Sequence, residues 1–171
     1  MNRWLGVAVV CLAGAGPMPV SSCTDGVLFS CPIGDNHLAV CALDGEATYS
    51  FGPLRQPELV LSDPFVSLNY HPWIGMGRWQ HSWVSFPNGE YEYVVSAARD
   101  RLDEERLDLW EVGVRVSRDD ELLASLTCET TFAEDVLAPL SWGKVRAGLR
   151  WSREHWRWQL PKKCADGECA C

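Results

Sequence analysis

The stretch at residues 27–52, VLFSCPIGDNHLAVCALDGEATYSFG, constrains the fold more than any other part of the chain. Val27–Ile33 and residues 37–43 are runs of apolar and β-favouring residues. Between them Gly34-Asp35-Asn36 offers one residue tolerant of positive φ and two side chains that stabilise turns. Read as a three-residue hairpin loop, this spacing sets Cys31 opposite Ala39 and Phe29 opposite Cys41. The two sulfurs then share a face but lie diagonally, near the limit of disulfide geometry. A Cys31–Cys41 disulfide is the resulting expectation. Asp44-Gly45 marks a second turn, and Glu46–Gly52 reads as a third strand with Ala47, Tyr49 and Phe51 alternating against Glu46, Thr48 and Ser50. The unit is a three-stranded meander.

The same stretch carries a resemblance. A cysteine, then FSC, a short polar turn, LAVCA and Tyr-x-Phe-Gly followed by Pro-Glu-Leu, together with the later SFPNGEYEYVV, is similar to a group of exported proteins of Gram-negative bacteria. The likeness covers residues 23–128. It implies an exported, β-rich, disulfide-bearing domain, with Cys23 as part of that domain. It brings no activity, substrate or catalytic residue with it.

Met1-Asn2-Arg3 followed by the apolar, small-residue run at 4–16 has the length and flanks of a signal peptide and is short for a membrane span. Residues 1–22 are therefore set apart from the fold. Two cleavage readings stay open: Ala13-Gly14-Ala15 fits a small-residue site, while Val20-Ser21-Ser22-Cys23 resembles a lipobox that would acylate Cys23 and anchor the chain to a membrane. Export to the periplasm or beyond makes the cysteines disulfide candidates, Cys23 and Cys128 included, before they are metal ligands. Cys164, Cys169 and Cys171 with His155 lack the spacing of a compact zinc finger, so neither a metal nor a cofactor is expected.

Residues 1–140 hold 8 Lys and Arg against 20 Asp and Glu, whereas residues 141–171 hold 7 against 3. An acidic body at 23–140 disfavours nucleic acid and favours a basic exported protein as partner, because a field of one sign steers association. The basic, Trp- and Cys-rich residues 141–171 read as an extension, and the alternation of Val145, Ala147, Leu149 and Trp151, then Trp156, Trp158 and Leu160, favours a hairpin there. A helix would set Gly148 in its interior.

Further strand signals fill the body. Residues 57–61 suit an edge strand opened by Pro57. A two-residue Asn88-Gly89 turn would pair Phe86 with Tyr91 and Val84 with Tyr93, putting the apolar residues on one face. Val112, Val114 and Val116 alternate in a hairpin turning at Arg118-Asp119-Asp120. Phe132, Val136 and Leu140 have helical spacing, ending near Pro139. The fold class is mainly β: an antiparallel β-sandwich or strongly curved sheet built from hairpins, with at most one or two short helices.

No nucleophile elbow, phosphate loop or His-Glu-x-x-His occurs. A non-enzymatic binding role ranks first, as an inhibitor or immunity protein against a cell-wall-degrading enzyme. A carbohydrate or small-ligand module stacking rings on Trp73, Trp79 and Trp83, or a hydrolase using His71 or His81 as base, are the alternatives. The contact residues expected are Tyr70, His71, Trp73, Trp79 and His81, clustered in a segment that begins as loop and ends as strand.

Overall fold

A computed structural model describes Cys23, residues 25–103, Glu105 and residues 109–161. The leading segment, Cys164, Cys169 and Cys171 lie outside the described residues. The first sheet is an antiparallel meander of β1 (Val27–Ile33), β2 (Asn36–Leu43), β3 (Glu46–Gly52) and β4 (Leu59–Pro64). The second is β5 (Asn69–His71), β6 (Trp79–Asn88), β7 (Tyr91–Asp100), β8 (Trp110–Arg118) and β9 (Glu121–Phe132), again in chain order. A helix α1 (Leu140–Arg146) and a hairpin of β10 (Arg150–Ser152) and β11 (Arg157–Gln159) follow.

The sheets form a sandwich because their alternating apolar residues share one core. Phe29, Leu38, Val40 and Tyr49 of the first sheet meet Val84, Phe86, Val95, Val112 and Val114 of the second. Tyr49 sits at the centre, 5.7 Å from the Phe86 ring and 5.5 Å from Tyr93. Burying side chains of this size contributes about 1.5–3 kcal/mol each.

The expected Cys31–Cys41 bond is not formed. Ile33 pairs with Asn36, so the first hairpin loop is Gly34-Asp35, and Cys31 faces Leu38. Relative to the three-residue loop, pairing has slipped by one position, which turns the two cysteines to opposite faces. Cys31 points into the core and bonds Cys128 of β9, while Cys41 bonds Cys23. The Cys31–Cys128 bridge joins edge strands of the two sheets. Cys23 has its sulfur in a disulfide, which leaves none for a thioether to lipid. Two disulfides mark folding in an oxidising compartment. Among the described residues no helix is long and apolar enough to cross a membrane.

At the second hairpin Asn88 pairs with Tyr91, so Phe86 pairs with Tyr93 and Val84 with Val95. The loop is Gly89-Glu90, with φ 62° at Gly89. Pairing is two positions away from the Asn-Gly reading, an even shift that keeps every side chain on its expected face. The turn between β8 and β9 has positive φ at both Asp119 and Asp120, as a type I′ loop requires.

The C-terminal region departs furthest from expectation. Residues 132–140 do not form the helix; β9 runs to Phe132, and α1 begins at Leu140 with Pro139 as its N-cap. Proline lacks an N–H that a helix start does not need, so it opens this helix rather than ending one. Val145 and Arg146 belong to α1, not to a strand. Gly148, at φ 83°, ends the helix: its N–H reaches the Val145 carbonyl and the Leu149 N–H reaches that of Lys144. The hairpin is confined to 150–159, pairing Trp151 with Trp158. Leu140, Lys144 and Leu149 are buried, so the described part of the extension packs onto the body.

Candidate functional site

β5 is a three-residue edge strand, and the outer backbone groups of an edge strand are left without a ladder partner unless another element covers them. The β10–β11 hairpin supplies it: Trp158 Nε1 donates to the Tyr70 carbonyl at 2.8 Å. Around this bond Tyr70 and His71 point to opposite faces, as neighbours in a strand must. Tyr70 is buried and its hydroxyl lies 3.3 Å from Ser141 Oγ. Desolvation pushes its pKa above the ordinary tyrosine value. His71 pairs with Trp83 of β6 and stacks on it, ring centres 5.5 Å apart at 9°. The Trp151 ring meets His71 edge-on at 4.8 Å and Trp158 at 5.6 Å. Burial first, and His81 second, push the His71 pKa down, so the imidazole is neutral at pH 7.

These rings wall a cleft of about 300 Å³, whose lining also includes Trp156, Arg157 and Lys144. Trp156 is half exposed at the rim. Lys144 is 2% exposed. Among the described residues its ammonium has no hydrogen bond or ion pair, and desolvation pushes its pKa down to about 8, a fall the Asp63 field only partly offsets. Trp151 Nε1, in the same wall, is buried without a hydrogen-bond partner among the described residues.

The expected contact residues fall into two groups. Tyr70 and His71 belong to the cleft. Trp73 lies in the loop at 72–78 and Trp79 opens β6 just after it, and arginines brace both: Arg101 lies 5.4 Å over Trp73 and Arg78 lies 5.8 Å over Trp79. Arg78 binds both oxygens of Asp100, and Arg101 Nη1 donates to the Gly77 carbonyl at 3.1 Å. Trp79 is 55% exposed and Met76 65%, so this loop stands out from the body on a stiff base. His81 is exposed on β6 between Trp79 and Trp83, all three on the outer face of the second sheet.

Lys144, Trp151, Trp156, Trp158 and Arg157 were not among the residues expected to make contact. The alternation of Trp156 with Trp158 reads as a strand face, but Trp156 lies in the turn before β11, at φ 53°. Nothing in that alternation showed that the face would close over β5. Among the described residues no group of three His, Cys, Asp or Glu side chains is placed to hold a metal ion. Comparison of the chain with protein-family models, curated proteins and solved structures returns no match.

Proposed function

We propose that this is an exported, non-enzymatic binding protein of the periplasm that takes a ring-bearing ligand, a sugar or an aromatic group, in the cleft at the β5 edge. The observation that carries this reading is the convergence of His71, Trp83, Trp151 and Trp158 from four strands on one cleft, with Trp156 at its mouth. Aromatic rings give large contact area at low cost in side-chain entropy, and the pairing of β5 with β6 and of β10 with β11 holds them in place. The likeness to exported Gram-negative proteins and the signal-like leader support the compartment.

Titration of intrinsic tryptophan fluorescence with neutral and acidic oligosaccharides and with aromatic acids tests it. Saturable binding that Trp156→Ala weakens at least tenfold, with circular dichroism unchanged, is the expected result. The absence of saturation by every sugar and aromatic ligand would refute it.

The braced 72–78 loop favours a second reading, inhibition of a cell-wall-degrading enzyme. That reading requires stoichiometric, salt-sensitive capture of a periplasmic hydrolase, lost on Trp79→Ala and kept on Trp156→Ala. Turnover of peptidoglycan abolished by His81→Ala would instead make the protein a hydrolase.

A further inference from the structure

Lys144 is the least expected side chain in the fold. Lysine is almost never fully buried without a partner, since an ammonium withdrawn from water costs several kcal/mol unless a counter-charge receives it. Here the residue is 2% exposed, on a helix whose other buried side chains, such as Leu140, join the core. The Asp63 carboxylate acts on it only through space; it lies beyond ion-pair distance and accepts the Ser67 hydroxyl at 2.6 Å. Lys144 therefore brings to the lining of the aromatic cleft a cation that no described residue pairs with.

The two charged side chains that line the cleft, Lys144 and Arg157, are both basic. Residues 141–161 carry Lys144, Arg146, Arg150, Arg153 and Arg157 against Glu154 alone. This basic region lies on a chain of net charge -8. A ligand attracted to the cleft rather than to the body is thus an anion.

We infer that the cleft binds a ring bearing a carboxylate, the ring lying against the tryptophans and the carboxylate received by the Lys144 ammonium. This rests on the cleft being a ligand site and adds the chemical class of the ligand. A uronic-acid sugar and an aromatic carboxylate share this chemistry. Arg157, being exposed, steers the anion to the mouth; Lys144, whose stem is buried and whose ammonium meets the cleft, discriminates, because a charge-assisted bond strengthens where the bound ring displaces solvent.

Three probes separate the possibilities in calorimetric titrations of the full oxidised chain: trigalacturonate, its neutral methyl ester, and benzoate. Trigalacturonate is expected to bind at least about tenfold more tightly than its ester, the scale of one hydrogen bond to a charged group. Lys144→Met is expected to remove that preference while leaving ester affinity within about twofold, and Lys144→Arg to retain part of it. Benzoate binding that Lys144→Met abolishes, with neither sugar bound, supports the inference with an aromatic acid as the source. Equal affinity for acid and ester, unchanged by Lys144→Met, overturns the inference and leaves the ligand cleft standing. Failure of all three probes to bind overturns the inference, and the absence of saturation across the wider set of sugars and aromatic acids overturns the ligand cleft as well.

Discussion

Replacing Lys144 by methionine is expected to make the free protein more stable. Burial lowers its pKa from the ordinary 10.5 to about 8, so holding this proton in the folded state costs about 3 kcal/mol at neutral pH as a ceiling. Water entering from the cleft mouth screens part of that charge, which brings the expected gain to about 1–2 kcal/mol. Methionine matches the length of the lysine stem and fills the same space without a charge. For a domain of this size the gain corresponds to a rise in Tm of about 3–6 °C.

The pH dependence provides the sharper reading. Below pH 8 lysine is protonated both folded and unfolded, and the cost is fully present. Between pH 8 and 10.5 the unfolded chain holds more protons than the folded one, so stability of the wild type rises with pH. Above about pH 10 the buried hydroxyls of Tyr49 and Tyr70 reverse the slope, because desolvation raises their pKa and the unfolded chain loses those protons first. Urea unfolding of the oxidised protein at pH 7, 8, 9 and 10 measures this directly. The wild type should gain stability from pH 8 to 10, and Lys144→Met should lose most of that gain. A variant less stable than wild type, or one with the same slope, would refute the view of Lys144 as an uncompensated buried charge.

Peptide mapping without reduction should recover Cys23 with Cys41 and Cys31 with Cys128; Cys31→Ser with Cys128→Ser should cost about 3–5 kcal/mol in urea unfolding, because that bridge closes a span of 97 residues. Gly143→Ala should destabilise by about 1–3 kcal/mol in the same assay, since a Cβ there would lie 2.5 Å from the Phe65 ring. Asp135→Ala should cost about 2 kcal/mol, leaving the buried Ser82 hydroxyl and the Leu137 N–H without the carboxylate oxygen they share at 2.7 and 3.0 Å; Asp135→Asn, which keeps an acceptor, should cost less.

Local chemistry determined most of the strands. Gly34, Asp44-Gly45, Gly89 and Asp119-Asp120 turn the chain where their backbone preferences allow, and alternation on β3, β6 and β8 decides which side chains are buried. These terms act between residues close in sequence, so one strand and its hairpin partner reveal them. Pairing was less secure: a one-position slip at Gly34-Asp35 separated Cys31 from Cys41, whereas a two-position slip at Gly89 changed no face. Turn chemistry alone hardly distinguishes adjacent loop registers, and the packing of Leu38 and Val40 into the shared core selects between them. The bond from Cys31 to Cys128 exists only because the two sheets stack edge to edge. Likewise Tyr70 and His71 could be read as contact residues from their segment, but the tryptophans around them come from residues 83, 151, 156 and 158. Lys144 carries no local sign of burial at all; it lies in the cleft because α1 packs its Gly143 face against Phe65. Residues far apart along the chain acquire a common environment only when sheets and helix close on one core, and that closure is where this candidate site is made.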